Sequence, residues 1–275
     1  MKKALIALAT VTAAATALCS LAACTEPGQK VKVIEIELTT EDYAYAINKE
    51  NTELLTAVNG YLTEWKADGT LTDILNSYFD GSATFSYNNP SSSQAGDFIV
   101  ATESGFPPFE SVNSDGYFYG ADIEIAYKIA EKLGKRLYIK DMDFDSIVTD
   151  VEAGNSDIGM AGLSVTGDRL LQVNFTETYY TSAQVITVLE SDTTFDGCTT
   201  ADEILAILSE KSSSYKIGTQ GGTTGFFFSS DELPNVTTKD YSTGSLAMQD
   251  LSNGKIDAVI LDIEPSKMIA KKINK

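Results

Sequence analysis

From residue 97 onward, short apolar runs alternate with stretches whose apolar residues recur every three or four positions, a rhythm that predicts alternating strands and helices. A strand is expected at 98–101. A helix is expected at 122–133, where Ile123, Ala126, Ile129, Ala130 and Leu133 share one face and Gly134 supplies the stop. A strand at 137–139, a helix near 145–153 and a strand at 157–160 come next; this βαβαβ order implies a parallel sheet. After a strand at 184–189 the grammar restarts: a helix at 201–210, a strand at 215–218, a Gly/Thr loop, a helix at 243–251 and a strand at 256–261.

Two segments echo each other across these halves. Val151-Glu152-Ala153-Gly154-Asn155-Ser156-Asp157-Ile158 and Leu251-Ser252-Asn253-Gly254-Lys255-Ile256-Asp257-Ala258 both read as helix end, Gly, two further residues, Asp and strand. The plain alternative is a recurring helix-to-strand turn. Two α/β lobes facing each other would bring these strand ends to one cleft, where open α/β sheets bind ligands. Ahead of both halves, strands are expected at 31–37 and 42–47 and helices at 52–66 and 71–78, with Leu54, Leu55, Val58, Leu62 and Trp65 on one helical face. That is too little for a domain of its own. Residues 81–96 are rich in Ser, Asn and Gly with no apolar period and read as a linker.

Charge and composition narrow the chemistry. The chain of 275 residues carries 20 Lys+Arg against 39 Asp+Glu, a net charge of −19 that repels phosphate backbones, so nucleic acid is not an expected partner. Histidine is absent, which excludes His-based triads and HExxH zinc sites. No metal or cofactor is expected. At the amino terminus, Lys2 and Lys3 precede a small-residue and leucine stretch that ends in Leu21-Ala22-Ala23-Cys24, the pattern of an export signal. Its apolar run is too short to span a bilayer. Loss of Lys2 and Lys3 with the signal would leave 18 − 39 = −21 charges. Cys19 goes with the signal, so Cys198 has no intramolecular partner and reads as a buried or incidental thiol.

Four loops carry candidate ligand chemistry. In Glu103-Ser104-Gly105-Phe106-Pro107-Pro108-Phe109-Glu110 the prolines can fix Phe106 over a cleft, or simply make a rigid turn with core aromatics. Residues 161–169 place Ala161, Gly162, Ser164 and Thr166 ahead of a helix start, with Arg169 in its first turn. Backbone N–H groups there favour an anion, and the Arg169 guanidinium can grip a carboxylate bidentately or, alternatively, stand as a solvated surface cation. Of the two arginines, Arg136 lies in a Lys-rich surface stretch. The run Gly218-Thr219-Gln220-Gly221-Gly222-Thr223-Thr224-Gly225 resembles a phosphate cradle but lacks the lysine of a P-loop, and its amides and hydroxyls suit a carboxylate. Asp262 ends an apolar strand, poised for an ammonium group or, alternatively, as the N-cap of the next helix.

Together FPPFE, AGLSVTGDR, QGGTTG and AVILD resemble, over about 31–275, the bacterial extracellular solute-binding protein family 3, the polar amino-acid-binding proteins of ABC importers. The resemblance implies an α/β fold of two similar Rossmann-like lobes with a central cleft and two crossover strands, the type II periplasmic binding protein architecture. It also implies a free amino acid whose α-carboxylate lies on Arg169, Ser164 and Thr224 and whose ammonium lies on Asp262 and the Gly162 carbonyl. Phe106 and Phe144 would sandwich the side chain and Glu103 would face its distal end; Ala161, Gln220 and Thr223 complete the expected set. Leu-Ala-Ala-Cys resembles a lipobox with Cys24 as the lipid anchor; a plain secretory signal cut near Ala23 is the alternative.

Residues 31–79 resemble the family's carboxyl-terminal end, yet here they come first. A circular permutation is the simplest reading, and a truncated tandem gene is its competitor. The expected organisation is a lipoprotein signal peptide (1–23), a lipid tether (24–30), the last strand of the second lobe (31–40), a crossover strand with the carboxyl-terminal helices of the first lobe (41–80), a linker (81–96), the main part of the first lobe (97–183) and that of the second (184–275). The implied protein is a monomer on the outer face of the cell membrane, or periplasmic, that binds a polar or cationic amino acid and delivers it to an ABC permease. A receptor-linked sensor and a dehydratase-like enzyme on the same scaffold are the alternatives.

Overall fold

A computed structural model describes residues 28–275. The expected signal at 1–23, Cys24 and most of the 24–30 tether lie outside the described residues. Among those described, no helix is long and apolar enough to cross a membrane.

The amino-terminal segment forms β1 (Val31–Ile34), β2 (Glu41–Tyr43), β3 (Ala46–Asn48), α1 (Thr52–Asp68) and α2 (Thr70–Asp80). A first set of elements comes next: β4 (Phe98–Thr102), a small three-stranded sheet of β5 (Gly105–Phe106), β6 (Glu110–Val112) and β7 (Phe118–Tyr119), then α3 (Ala121–Leu133), β8 (Leu137–Asp141), α4 (Ile147–Glu152), β9 (Ile158–Gly159), α5 (Gly167–Gln172) and β10 (Val173–Phe175). After β11 (Tyr180–Ser182) comes a second set: β12 (Gln184–Leu189), α6 (Ala201–Ser209), β13 (Lys216–Gln220), α7 (Thr224–Glu232), β14 (Thr237–Tyr241), α8 (Gly244–Ser252), β15 (Ala258–Asp262) and α9 (Ile263–Ile273).

Two five-stranded sheets result, ordered β10-β3-β9-β4-β8 and β1-β12-β15-β13-β14. In the first, β4 pairs in parallel with β8 and β9, and β3 enters antiparallel to β9; in the second, β13 pairs in parallel with β14 and β15, and β12 runs antiparallel to β15. The amino-terminal segment therefore completes both lobes, giving an edge strand to the second sheet and an internal strand to the first. Between the lobes, β2 and β11 form an antiparallel pair of crossover strands. Helix α1 buries Leu54, Val58, Leu62 and Trp65, while Leu55 is only half-buried.

The segment expected as one strand at 42–47 is two short strands, because the chain breaks pairing at Ala44 and Tyr45 as it passes from one lobe to the other. Residues 81–96 are not a free linker. Tyr87 bridges to Phe118, its hydroxyl donates to the Leu137 carbonyl at 2.6 Å, and the Asn89 amide donates to the Ile139 carbonyl at 2.8 Å. Arg136, expected as a surface cation, makes a two-pronged ion pair with Asp97 at 2.7 and 2.8 Å. α7 and β14 are present where the sequence suggested only a Gly/Thr loop. Cys198 is half-buried beside the second-lobe core.

Candidate functional site

The cleft lies where strand ends of both sheets meet the crossover strands. Beyond β9 the chain turns at Gly162, whose φ of +54° is left-handed and where a Cβ would sit 2.7 Å from the Phe106 ring. This close approach lets the 161–169 loop pass under Phe106. Thr166 then caps α5 by accepting from the Arg169 amide at 3.3 Å, which sets Arg169 in the first turn. The Arg169 guanidinium donates to the Ser164 carbonyl at 2.8 Å and, across the cleft, to the Gly222 carbonyl at 3.1 Å; its carbon lies 5.3 Å from the Phe144 ring centre. Burial lowers its pKa, and the neighbouring Glu41 and Asp262 carboxylates oppose that shift.

From the second lobe, Thr223 caps α7, so that Thr224 opens the helix with its hydroxyl towards Ser164, 3.5 Å away. Asp262 ends β15 and stands at the N-cap of α9 without making a capping bond. Its carboxylate instead accepts from the Tyr43 hydroxyl, and from Ser182 at 3.4 Å. Burial first, then the Glu41 charge, push the Asp262 carboxyl up to about 7 against the lowering effect of Tyr43.

Of the expected site residues, Phe106, Phe144, Gly162, Ser164, Arg169, Gln220, Thr223, Thr224 and Asp262 line one small cavity. An open outer groove of about 510 Å³ adjoins it and shares Phe144, Arg169 and Thr224. Ala161 is not brought to the cavity: its methyl packs with Ile147, Val151 and Leu163 in the core below. Glu103 is buried beside the cavity rather than in its lining. It accepts from the Gln220 amide at 3.0 Å and borders an adjoining groove with Ser104, Asp141 and Thr243. Burial pushes its carboxyl up to about 7.

Sequence reasoning missed three groups. Glu41 accepts from Ser164 and Thr224 hydroxyls, both at 2.6 Å. Tyr43 holds Asp262. Beneath Gly162, the buried Asp122 accepts from the Tyr179 hydroxyl at 2.9 Å and the Gly162 amide at 3.2 Å, with burial pushing its carboxyl up to about 7. Neighbouring Glu110 is buried with neither carboxylate oxygen hydrogen-bonded, and burial together with the Asp122 charge pushes its carboxyl up strongly. Alternation in the segment Glu41-Asp42-Tyr43 was the available signal for the first two, since residues i and i+2 of a strand share a face.

The cavity gathers the groups that a zwitterion would need, a guanidinium with hydroxyls, a carboxylate and two aromatic rings, although Glu41 and Tyr43 now bond Ser164, Thr224 and Asp262. The family model for bacterial extracellular solute-binding proteins, family 3, matches residues 98–240. The putative ABC transporter arginine-binding protein 2 of Escherichia coli (strain K12) is 30% identical over 162 residues, 59% of this chain and 61% of that protein, so the match spans about three-fifths of its length. An ancestral arginine-binding protein bound to arginine superposes with a TM-score of 0.57 at 32% identity, covering 66% of this chain and 76% of the other. An ancestral amino acid-binding protein described as a precursor of cyclohexadienyl dehydratase superposes with a TM-score of 0.59 at 26% identity, covering 64% and 74%. The fold, the placement of the cleft and the family match agree: the chain belongs to the bacterial extracellular solute-binding proteins, family 3.

Proposed function

We propose that this chain is an extracytoplasmic lipoprotein that captures a free polar or cationic amino acid by closing its lobes and delivers it to an ABC importer permease. The observation that carries the reading is the convergence of Arg169, from the first lobe, and Asp262, from the second, on one cavity that Ser164, Thr224 and two aromatic rings also line. Arg169, Ser164 and Thr224 take the α-carboxylate, Asp262 and the Gly162 carbonyl take the ammonium, and Phe106 and Phe144 flank the side chain. The arginine-binding relatives, and Glu103 behind Gln220, support a cationic or polar side chain. Cys24 carries the lipid. The segment order is a circular permutation, supported by the way 31–80 completes both sheets and by the Asn274 side chain, which bonds the Val31 backbone at 2.9 and 2.8 Å.

Calorimetry with the twenty amino acids tests the function, with L-arginine expected among the binders. Arg169→Ala should weaken binding by about 3 kcal/mol or more while the protein still melts cooperatively, because a carboxylate would be desolvated without its charged partner. Affinity within threefold of the parent would remove Arg169 as the anchor. A dehydratase-like activity has one observation in its favour, the Glu103 carboxyl titrating near neutrality. Release of product from a cyclohexadienyl acid would support that second reading, and its absence together with amino-acid binding would exclude it.

A further inference from the structure

The proposed ligand seats are already occupied by the protein's own crossover strand. β2 presents Glu41 and Tyr43 on one face and Asp42 on the other, as strand alternation requires. Glu41 is 8% exposed. One of its carboxylate oxygens accepts from Ser164 of the first lobe and Thr224 of the second, each at 2.6 Å, and the other accepts from Thr39 at 3.1 Å. Those two hydroxyls are the groups assigned to a ligand's α-carboxylate, and the Glu41 charge bears on Arg169 as that carboxylate would. Two residues along, the Tyr43 hydroxyl donates to Asp262, the partner assigned to the ammonium. The space left in the cavity is about 10 Å³, room for at most one water.

We propose that β2 is a tethered competitor for the zwitterion seat. Glu41 stands in for the ligand carboxylate and bridges the two lobes, so an amino acid must displace it to bind. The inference rests on the amino-acid reading for its ligand but not for its bridge. A second carboxylate cannot join Glu41 on the same two hydroxyls without like-charge repulsion close to a single guanidinium. Affinity for a free amino acid is then reduced by the fraction of molecules in which Glu41 holds the seat.

The test uses the full chain, L-arginine as probe, and the variants Glu41→Ala and Glu41→Gln, each checked for cooperative melting. Glu41→Gln keeps the size and one acceptor, so it decides the matter if Glu41→Ala does not fold. Calorimetry should show L-arginine binding at least tenfold tighter in Glu41→Ala than in the parent, with Glu41→Gln between them. Small-angle scattering without amino acid should show a larger radius of gyration for Glu41→Ala, which cuts the Ser164–Glu41–Thr224 bridge, and a smaller change or none for Glu41→Gln, whose amide oxygen can still accept from both hydroxyls. Weaker or equal binding in the variants would make Glu41 part of the ligand's seat and overturn the proposal. An unchanged radius in a cooperatively melting Glu41→Ala overturns it whatever the binding result. No binding of any amino acid by parent or variants would defeat the amino-acid reading, while scattering would still decide whether Glu41 bridges the lobes.

Discussion

The two lobes are built from one repeated unit and diverge immediately beyond it. At the end of α4 and of α8 the chain turns through a left-handed glycine, Gly154 at φ +72° and Gly254 at +68°. Three residues later an aspartate immediately precedes the next strand. Asp157 accepts from the Ile99 amide and Asp257 from the Lys216 amide, both at 2.7 Å, and each returns its own amide to the same residue's carbonyl at 2.9 Å. The local echo in the sequence is therefore a structural repeat. Beyond it the lobes part: β9 runs into a loop that leads to Arg169 in the first turn of α5, whereas β15 runs directly through Asp262 into α9. The repeat builds the framework, and the departures from it supply one charge of each sign to the cleft.

The largest effect expected on this comparison comes from removing what the lobes share. Residues 31–80 give β1 to one sheet, β3 to the other, and two helices that bury Leu54, Val58, Leu62, Trp65, Leu71, Ile74, Leu75 and Tyr78. Each such side chain contributes about 1.5–3 kcal/mol on burial, so the sum exceeds the net stability of an ordinary domain. Deleting 31–80 should leave a protein without a cooperative thermal transition and without ligand binding. A soluble deletion mutant with a sharp melt would show that the segment is an appendage, and would end the permutation reading.

A smaller effect should accompany pH, and it tests the departures rather than the framework. Glu103 and Asp122 on the first lobe and Asp262 on the second each have a carboxyl pushed up to about 7 by burial, against about 4 in an unfolded chain. The folded protein therefore holds these protons longer. Their stabilising contribution is complete below about pH 4 and is lost as pH rises through about 7, at up to about 1.4 kcal/mol per pH unit for each titrating group. Asp97 and Asp250, held below the usual range by Arg136 and Lys255, act in the opposite sense but only below about pH 4. The melting temperature should thus be higher at pH 5 than at pH 8. Asp122→Asn should shrink that difference; a higher melting temperature at pH 8 in the parent would contradict the assignment.

Legibility in the sequence divides along the same line. The framework was readable because its signals are local: the face of α3, the Gly134 stop, and the two Gly–Asp turns. Helix α7 was hidden because its sheet-facing positions are Gly225 and Ser229, while the large Phe227 is 53% exposed, the reverse of the usual amphipathic pattern. β14 is a polar sheet-edge strand with no buried residue and no alternation to read. In the site, Arg169 and Asp262 announced themselves by type and position, at a helix start and a strand end. Glu41 did not, since an acid in a short strand reads as surface, and its burial depends on Ser164 and Thr224, 123 and 183 residues away.

The finest test compares the two aspartates of the repeat. Their hydrogen bonds are equal in length, so geometry alone predicts equal worth. Their surroundings differ: Asp157 is half-buried and Asp257 exposed. When the side chain is removed, water can reach the freed Lys216 amide more readily than the Ile99 amide, and the cost of truncation is dominated by whether the abandoned donor is rehydrated. Asp157→Ala should therefore cost about 1.5–3 kcal/mol in urea unfolding and Asp257→Ala about 1 kcal/mol or less. The corresponding Asn variants, which keep an acceptor oxygen, should recover part of each loss. Equal costs at the two positions would mean that solvent access does not distinguish the lobes, and a larger cost at Asp257 would place the more rigid turn in the second lobe.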